Sequence, residues 1–293
     1  MKKMIAVLLA LTFVFALAAC AGSSKPAETT AAAETTTTAA ASETTAGTDT
    51  TAAASSDTTS AAAAGGTLTM ATSADFPPYE FYDGDKIVGI DAEIAAAIAQ
   101  KLGMELKIED MDFDSVIPAI QSGKADIAMS GLTVTDERKL TVDFSDSYAT
   151  GVQAIVVPEK SPITSADDLA KNVGKYKIGV QLATTGDIYA SDTPEKGGFG
   201  SDNVEEYSKG ADAILALTSG KIDAVIIDKE PAKAFVAANS GLKVLDSAYV
   251  SEDYAIAVQK GNTELLGKVN DALKGLIADG TVKSIVDKYI TAK

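Results

Sequence analysis

Ala125-Asp126-Ile127-Ala128-Met129-Ser130-Gly131-Leu132-Thr133-Val134-Thr135-Asp136-Glu137-Arg138 joins an apolar strand, a polar turn and the start of a helix. The run Ala125 to Met129 is short, apolar and bounded by turn residues, the pattern of a buried strand. Thr135 stands where a helix N-cap is expected, with acidic residues after it. The stretch has an echo. Ala119-Ile120-Gln121-Ser122-Gly123-Lys124-Ala125-Asp126-Ile127-Ala128 matches Ala216-Leu217-Thr218-Ser219-Gly220-Lys221-Ile222-Asp223-Ala224-Val225, offset by 97 positions. Each copy reads as a helix that ends at glycine, turns and feeds an apolar strand. The offset is too long for a solenoid repeat and suits two similar α/β lobes. Ligands of open α/β sheets bind at the carboxyl ends of strands. One copy delivers Ser130-Gly131 to that end and the other delivers Asp228. Polar loops on two lobes imply a cleft.

Arg138 is the only arginine among 25 basic residues. Its planar fork of donors grips a carboxylate with two parallel bonds, which the point charge of lysine does not. Two readings fit it: a clamp for a ligand carboxylate, and a surface arginine in a helix's first turn.

The bulk properties narrow the function. A chain of 293 residues holds one or two domains with a proper core. The net charge is −16, and losing Lys2 and Lys3 with a leader makes it more negative. Nothing then offsets phosphate repulsion, so no nucleic-acid partner is expected. There is no histidine, and Cys20 is the one cysteine. His-ligated metals, Ser/His and Cys/His catalysis and intrachain disulfides are excluded. Carboxylate or lysine chemistry stays open, and no cofactor is expected.

The N-terminus reads as a targeting segment. Lys2 and Lys3 precede an apolar run over 4–19, short for a spanning helix and right for a secretory h-region. Leu17-Ala18-Ala19-Cys20 resembles the bacterial lipobox, in which the cysteine is lipidated and becomes the mature N-terminus. Acyl chains on Cys20 contribute roughly 0.8 kcal/mol per buried CH₂, so several chains anchor firmly. Ala, Thr and Ser then supply 35 of the 44 residues over 21–64. Such a stretch buries too little apolar surface to offset its ordering entropy, and reads as a tether.

From Gly66 onward, strand and helix signals alternate, as in an α/β protein. Strands are expected over 67–72, 104–108, 125–129, 153–157, 177–180, 224–227 and 254–258. Asp91 is expected to cap a helix bearing Ile94, Ile98 and Leu102, closed by Gly103. Another helix opens at Phe113-Asp114, with Pro118 tolerable near its first turn. Further helices are expected at Asp187, over 211–217, around 263–278 and over 281–290.

From Gly66 to Tyr289 the chain resembles the extracytoplasmic solute-binding proteins (family 3) of polar-amino-acid ABC transporters. The resemblance is carried by Phe76-Pro77-Pro78-Tyr79-Glu80-Phe81, Phe113-Asp114-Ser115-Val116-Ile117-Pro118-Ala119, Ala125-Asp126 through Arg138, Asp143-Phe144-Ser145-Asp146, Ala183-Thr184-Thr185 and Asp223 through Asp228. It implies a two-lobe clamshell of the type II periplasmic-binding-protein kind, with crossings near 149–153 and 251–254. Periplasmic binding proteins are themselves a standard example of hinge closure around a ligand. The organisation implied is a leader at 1–19, lipidated Cys20 and tether over 20–65, a first lobe from 66–150 and 253–293, and a second from 151–252.

The resemblance also implies roles. Arg138 holds the ligand's α-carboxylate, helped by the positive end of a helix capped near Thr135. Ser130, Gly131 and Thr133 supply hydroxyl or backbone contacts beside it. Thr184 or Thr185 reaches the same carboxylate from the second lobe. Asp228 accepts the α-ammonium. Phe76 and Phe113 sandwich the ligand side chain, with Ser73 and Gln181 as its readers. Asp75 and Glu80 fall near the mouth, where a solvated face is the competing reading. Family members that bind basic amino acids often carry an acidic residue at the position of Ser73, a partner that a cationic side chain loses here unless Asp75 or Asp112 replaces it. The serine here favours a neutral polar ligand such as glutamine, with basic amino acids and cystine open.

The function implied is capture of a polar L-amino acid for an ABC permease by a monomeric lipoprotein. Its place is the outer face of the bacterial cytoplasmic membrane. Two alternatives stand beside it. One is an enzyme on the same fold, such as a dehydratase, with Glu80 as its acid or base. The other is a non-transport surface or sensory lipoprotein, although no second apolar stretch reaches about 18 residues.

Overall fold

A computed structural model describes residues 65–246 and 250–290. The leader, Cys20 and the tether through residue 64 lie outside the described residues. β1 (Thr67–Thr72) opens the main sheet. β2 (Asp75–Phe76), β3 (Glu80–Asp83) and β4 (Lys86–Val88) form a small second sheet, with a cis Pro77–Pro78 bond between the first two. α1 (Ile90–Leu102) buries Ile90, Ile94 and Ile98 and ends at left-handed Gly103. β5 (Glu105–Asp110), α2 (Phe113–Gln121), β6 (Ile127–Ala128) and the four-residue α3 (Asp136–Lys139) follow. β7 (Val142–Pro158) is a single strand of 17 residues.

The chain then builds α4 (Ala166–Lys171), β8 (Ile178–Gln181), α5 (Thr185–Ser191), β9 (Val204–Tyr207) and α6 (Gly210–Thr218). β10 (Ala224–Asp228), α7 (Lys229–Ala238) and β11 (Leu242–Val244) come next. β12 (Val250–Gln259), α8 (Thr263–Ala278) and α9 (Thr281–Tyr289) close the chain.

The sheet order shows two lobes with one topology. The first reads β5-β1-β6-β12-β7. The second reads β9-β8-β10-β7, with β11 on the far side of β7. In each, the first-formed strand lies between the second and third, and the third pairs antiparallel with a long strand shared with the other lobe. β7 and β12 are those shared strands. They pair antiparallel with each other from Val142–Gln259 to Gln153–Val250, and β7 runs on past β10 and β11. The molecule is thus the two-lobe α/β clamshell that the sequence implied.

Alternation along the strands sets the layers. Val225 and Ile227 of β10 face one core cluster, while Ala224 and Ile226 face another. Leu68 and Met70 of β1 join the first cluster, which runs through both lobes under α1, α6 and α8. Ala71 joins a third cluster with Val116 and Ile120 of α2.

Four local expectations change. Asp91 does not cap α1: Gly89 does, with φ 124°. A Cβ there would lie 2.2 Å from the Tyr79 carbonyl oxygen, so only glycine fits. Pro118 sits inside α2, past its first turn. The bond it forfeits belongs to the carbonyl of Asp114, an exposed residue that water reaches. The polar residues of 143–147 belong to β7, because β12 pairs with it along that length. Finally, α3 is one turn long, so its dipole adds little at Arg138.

Candidate functional site

A pocket of about 270 Å³ lies between the lobes. Phe76, Phe113, Ser130, Gly131, Thr133 and Arg138 line it from the first lobe. Gln181, Thr184, Thr185 and Asp228 line it from the second. The geometry thus brings ten of the eleven sequence-predicted ligand residues to one place.

Each wall comes from the carboxyl end of a strand. After β6 the chain turns at Gly131, whose φ is 50°. A side chain there would meet Phe76 Cε1 at 2.7 Å, so the loop packs on the ring only because it is glycine. Gly131 N–H donates to Asp91 Oδ2 at 2.8 Å, which ties the loop to α1. Thr135 caps α3 by accepting from Arg138 N–H at 3.1 Å. The Arg138 side chain is 7 % exposed and turns into the pocket. Its Nη1 donates to the Thr133 carbonyl at 2.8 Å, and its Nη2 donates across the cleft to the Ala183 carbonyl at 3.0 Å. The guanidinium lies 5.6 Å over the Phe113 ring. Burial lowers its pKa, and the charges of Glu252 and Asp228 oppose that shift. Ala183 holds φ 63°, a left-handed conformation that costs an L-residue about 1–2 kcal/mol.

Asp228 ends β10 and faces the pocket at 8 % exposure. Tyr254 Oη donates to its Oδ1, and Gln153 Nε2 donates to Oδ2 at 2.8 Å. Burial pushes its pKa up to about 7, against the effect of those donors. Among the described residues, no cation is bonded to it. The pocket therefore presents a buried cation on one lobe and a desolvated, unpaired carboxylate on the other.

The four pocket hydroxyls have their protons committed elsewhere. Ser130 Oγ donates to Glu80 Oε1 at 2.9 Å, and Thr184 Oγ1 donates to the Gln181 carbonyl at 2.7 Å. Thr133 and Thr185 donate to Glu252 Oε2 at 3.1 and 2.9 Å. Gln181 Nε2 donates to the Ser208 carbonyl at 3.2 Å.

Ser73 is the predicted residue outside the pocket. It lines a larger chamber, about 780 Å³, with Asp75, Tyr82, Asp110, Asp112 and Lys209. It remains tied to the site: Ser73 N–H donates to Ser130 Oγ at 3.0 Å, and Ser73 Oγ donates to Asp75 Oδ1 at 3.1 Å. Burial raises the Asp75 pKa, while Ser73, Lys209 and Gln181 act the other way.

Glu80 is not at the mouth. It is fully buried behind the Ser130–Gly131 loop, bonded to Ser130 and paired with Asp91. Burial pushes its pKa well above the usual carboxylate range, and the Asp91 charge adds to that. Asp91, buried beside it, is raised to about 6 despite bonds from Gly131 N–H and Tyr148 Oη. Glu252, Gln153 and Tyr254 are the supporting residues that the sequence did not single out. Their partners lie 26 to 119 positions away in the chain, and no spacing rule reaches that far. Among the described residues, no group of three or more Asp, Glu, His or Cys is arranged to hold a metal ion.

The chain is similar to known proteins. The arginine-binding extracellular protein ArtP of Bacillus subtilis is 32 % identical over 295 residues, covering all of both chains. A solved ancestral arginine-binding protein bound to glutamine is 41 % identical with a TM-score of 0.70, covering 77 % of this chain and 98 % of that one. The ancestral amino acid-binding protein AncCDT-1, a precursor of cyclohexadienyl dehydratase, is 35 % identical with a TM-score of 0.68, covering 76 % and 94 %. The family model of the bacterial extracellular solute-binding proteins, family 3, matches residues 68–292. By that match and by its identity to ArtP along the whole of both chains, the chain belongs to that family.

Proposed function

We propose that the protein captures an L-amino acid between its lobes and hands it to the permease of an ABC transporter. One observation carries this reading: buried Arg138 and buried Asp228 face one small pocket from opposite lobes. An amino acid brings an α-carboxylate for the guanidinium and an α-ammonium for the carboxylate. Charge-assisted bonds of this kind are roughly twice as strong as neutral ones. Phe76 and Phe113 then flank the ligand side chain.

The side chain we favour is cationic. Beyond Ser73 lies the chamber with Asp75, Asp110 and Asp112, three carboxyls against the single lysine Lys209, which offsets the missing acid at position 73. The name of the Bacillus relative agrees with that choice. A neutral side chain such as glutamine is the second reading, favoured by Gln181 in the pocket wall and by the glutamine bound to the ancestral relative. A thermal-shift screen against the twenty amino acids decides between them. A ligand at about 100 times its dissociation constant stabilises by roughly 2.7 kcal/mol. Arginine or lysine should lead; glutamine in the lead selects the second reading, and no shift with any amino acid overturns both.

Turnover is not part of this proposal. Among the described residues, Asp228 is the one carboxylate that lines the pocket, and Glu80, the acid an enzyme reading relies on, sits behind its wall. We further propose lobes of 66–150 with 253–293 and of 151–252, and a monomer held at the outer face of the membrane by acylated Cys20 and the tether. Cys20→Ser should release the protein from membranes in fractionation; retention removes the anchor from the proposal.

A further inference from the structure

Glu80 of β3 and Asp91 of α1 are both fully buried, side by side behind the Ser130–Gly131 loop. The ionisable groups that act on the pair are Asp75 of β2, Tyr79 and Tyr148 of β7, and none of them is a cation. Asp91 Oδ2 accepts from Gly131 N–H and from Tyr148 Oη, both at 2.8 Å. Glu80 Oε1 accepts from Ser130 Oγ at 2.9 Å. The other two oxygens, Glu80 Oε2 and Asp91 Oδ1, are buried and receive no donor from any other described residue. Yet the two carboxyls are hydrogen-bonded to each other. Two carboxylates own no proton between them, so that bond requires one of the pair to keep its acid proton.

We infer that Glu80 is a positioning residue: held as the neutral acid, it donates through Oε2 to Asp91 while it accepts from Ser130, and this one shared proton locks the loop that walls the ligand pocket. Every oxygen of the pair is then served. Asp91 keeps its charge and receives three donors, and Glu80 gives one bond and takes one. An ionised Glu80 would accept from Ser130 equally well, but it would set a second buried charge against Asp91 with no cation to offset it. So Glu80 acts through its hydrogen and not through its charge. The loop it holds matters to the site. Ser130 and Gly131 line the pocket, and Gly131 packs on Phe76, which lines it too. Ser73 N–H donates to the same Ser130 Oγ, and Tyr148 carries the tie to the strand that both lobes share. Glu80 itself does not line the pocket. The inference rests on the amino-acid reading above only for what the pocket holds.

The test uses the full chain, native and with Glu80→Gln or Glu80→Leu. Infrared spectra of the ligand-free protein at about pH 8 report the proton. Exposed carboxyls are ionised there, so the difference between native and Glu80→Gln should show the carbonyl stretch of one protonated carboxyl. Absence of that band means that both acids are ionised and overturns the inference. Calorimetry with L-arginine and with L-glutamine reports the positioning. Glu80→Leu removes both bonds and should weaken binding on the order of tenfold or more. Glu80→Gln offers an oxygen to Ser130 and an N–H to Asp91 without any charge, and should restore affinity to within about threefold of native. A glutamine variant as weak as the leucine variant overturns the neutral-donor role, and a leucine variant as tight as native overturns the positioning. If Glu80→Leu does not fold, melting of the ligand-free protein decides. An acid whose pKa rises on folding loses stability as pH climbs above its unfolded value, 4.5 for Glu80. Glu80→Gln lacks that loss, so its melting temperature should gain on native between about pH 5 and pH 8, and parallel profiles overturn the inference. A native protein that binds neither amino acid overturns the amino-acid reading, and the infrared band and the melting profiles still decide the proton.

Discussion

The two copies of the helix–glycine–strand unit agree in detail until the strand ends. Gly123 and Gly220 hold φ 71° and 72°. Lys124 N–H donates to the Ala119 carbonyl at 2.9 Å, and Lys221 N–H to the Ala216 carbonyl at 3.0 Å. Asp126 accepts from Thr69 N–H in β1 and Asp223 from Lys177 N–H immediately before β8, both at 2.8 Å. Beyond Ala128 and Val225 the copies part. The first breaks off its strand, turns at Gly131 and delivers Arg138. The second continues as a strand to Asp228. The repeated part makes the scaffold, and the divergent ends make the chemistry, with opposite charges arriving from equivalent directions.

Breaking the positive end should have the largest effect. Arg138→Ala removes the buried cation and should abolish amino-acid binding in calorimetry. The ligand-free protein should still melt cooperatively. Affinity within threefold of native would remove Arg138 from the site. Arg138→Lys should recover little, because an ammonium lacks the fork.

The negative end comes next. Asp228→Asn should weaken amino-acid binding by about 2–5 kcal/mol, the range for a buried charge pair that loses one partner. It should also flatten the pH profile. In the ligand-free protein Asp228 is pushed up to about 7. The ligand's ammonium needs the carboxylate, so binding below that pH must expel a proton. Native affinity should therefore fall as pH drops from 8 toward 5.5, and the asparagine variant should show no such fall. Parallel profiles would refute the assignment. The sign for folding is opposite. A carboxyl whose folded pKa is raised adds stability below its unfolded pKa, near 3.8, and loses it as pH rises through about 7. Asp228→Asn should accordingly raise the melting temperature of the ligand-free protein more at pH 8 than at pH 5.

The smallest effect tests the equivalence itself. Alanine at Gly123 or at Gly220 has open space for its Cβ, so the cost is backbone strain alone. Each should destabilise by about 1–2 kcal/mol in denaturant titrations, and by the same amount within error. A difference above roughly 1 kcal/mol would mean that the two turns are not mechanically alike.

Legibility followed the range of the interactions. The strand Thr67–Thr72, the helix stop at Gly103 and the helix Thr263–Ala278 rest on local periodicity and capping, and all were readable. Asp91 looks like a cap because a helix-start carboxylate usually is one, while its actual partners, Gly131 and Tyr148, lie 40 and 57 positions on. β7 was seen only in its apolar half, because its polar half is held by pairing with β12. In the pocket, the residues at strand ends were legible, since topology and chemical type coincide there. Glu252 is not, because the two threonines bonded to it meet only after the chain has crossed twice.

The two crossings also set an order of assembly. The second lobe's own strands, β8 through β11, are consecutive in the chain, between β7 and β12. The first lobe is split: β6 waits for β12, and α1 packs against α8 and α9. As the polypeptide is synthesised amino end first, its leading lobe must remain incomplete until the last helices arrive. The second lobe can close earlier, because its contacts are shorter in sequence. A truncation that removes α8 and α9 should therefore strip the lobe that was synthesised first, and leave the later one folded.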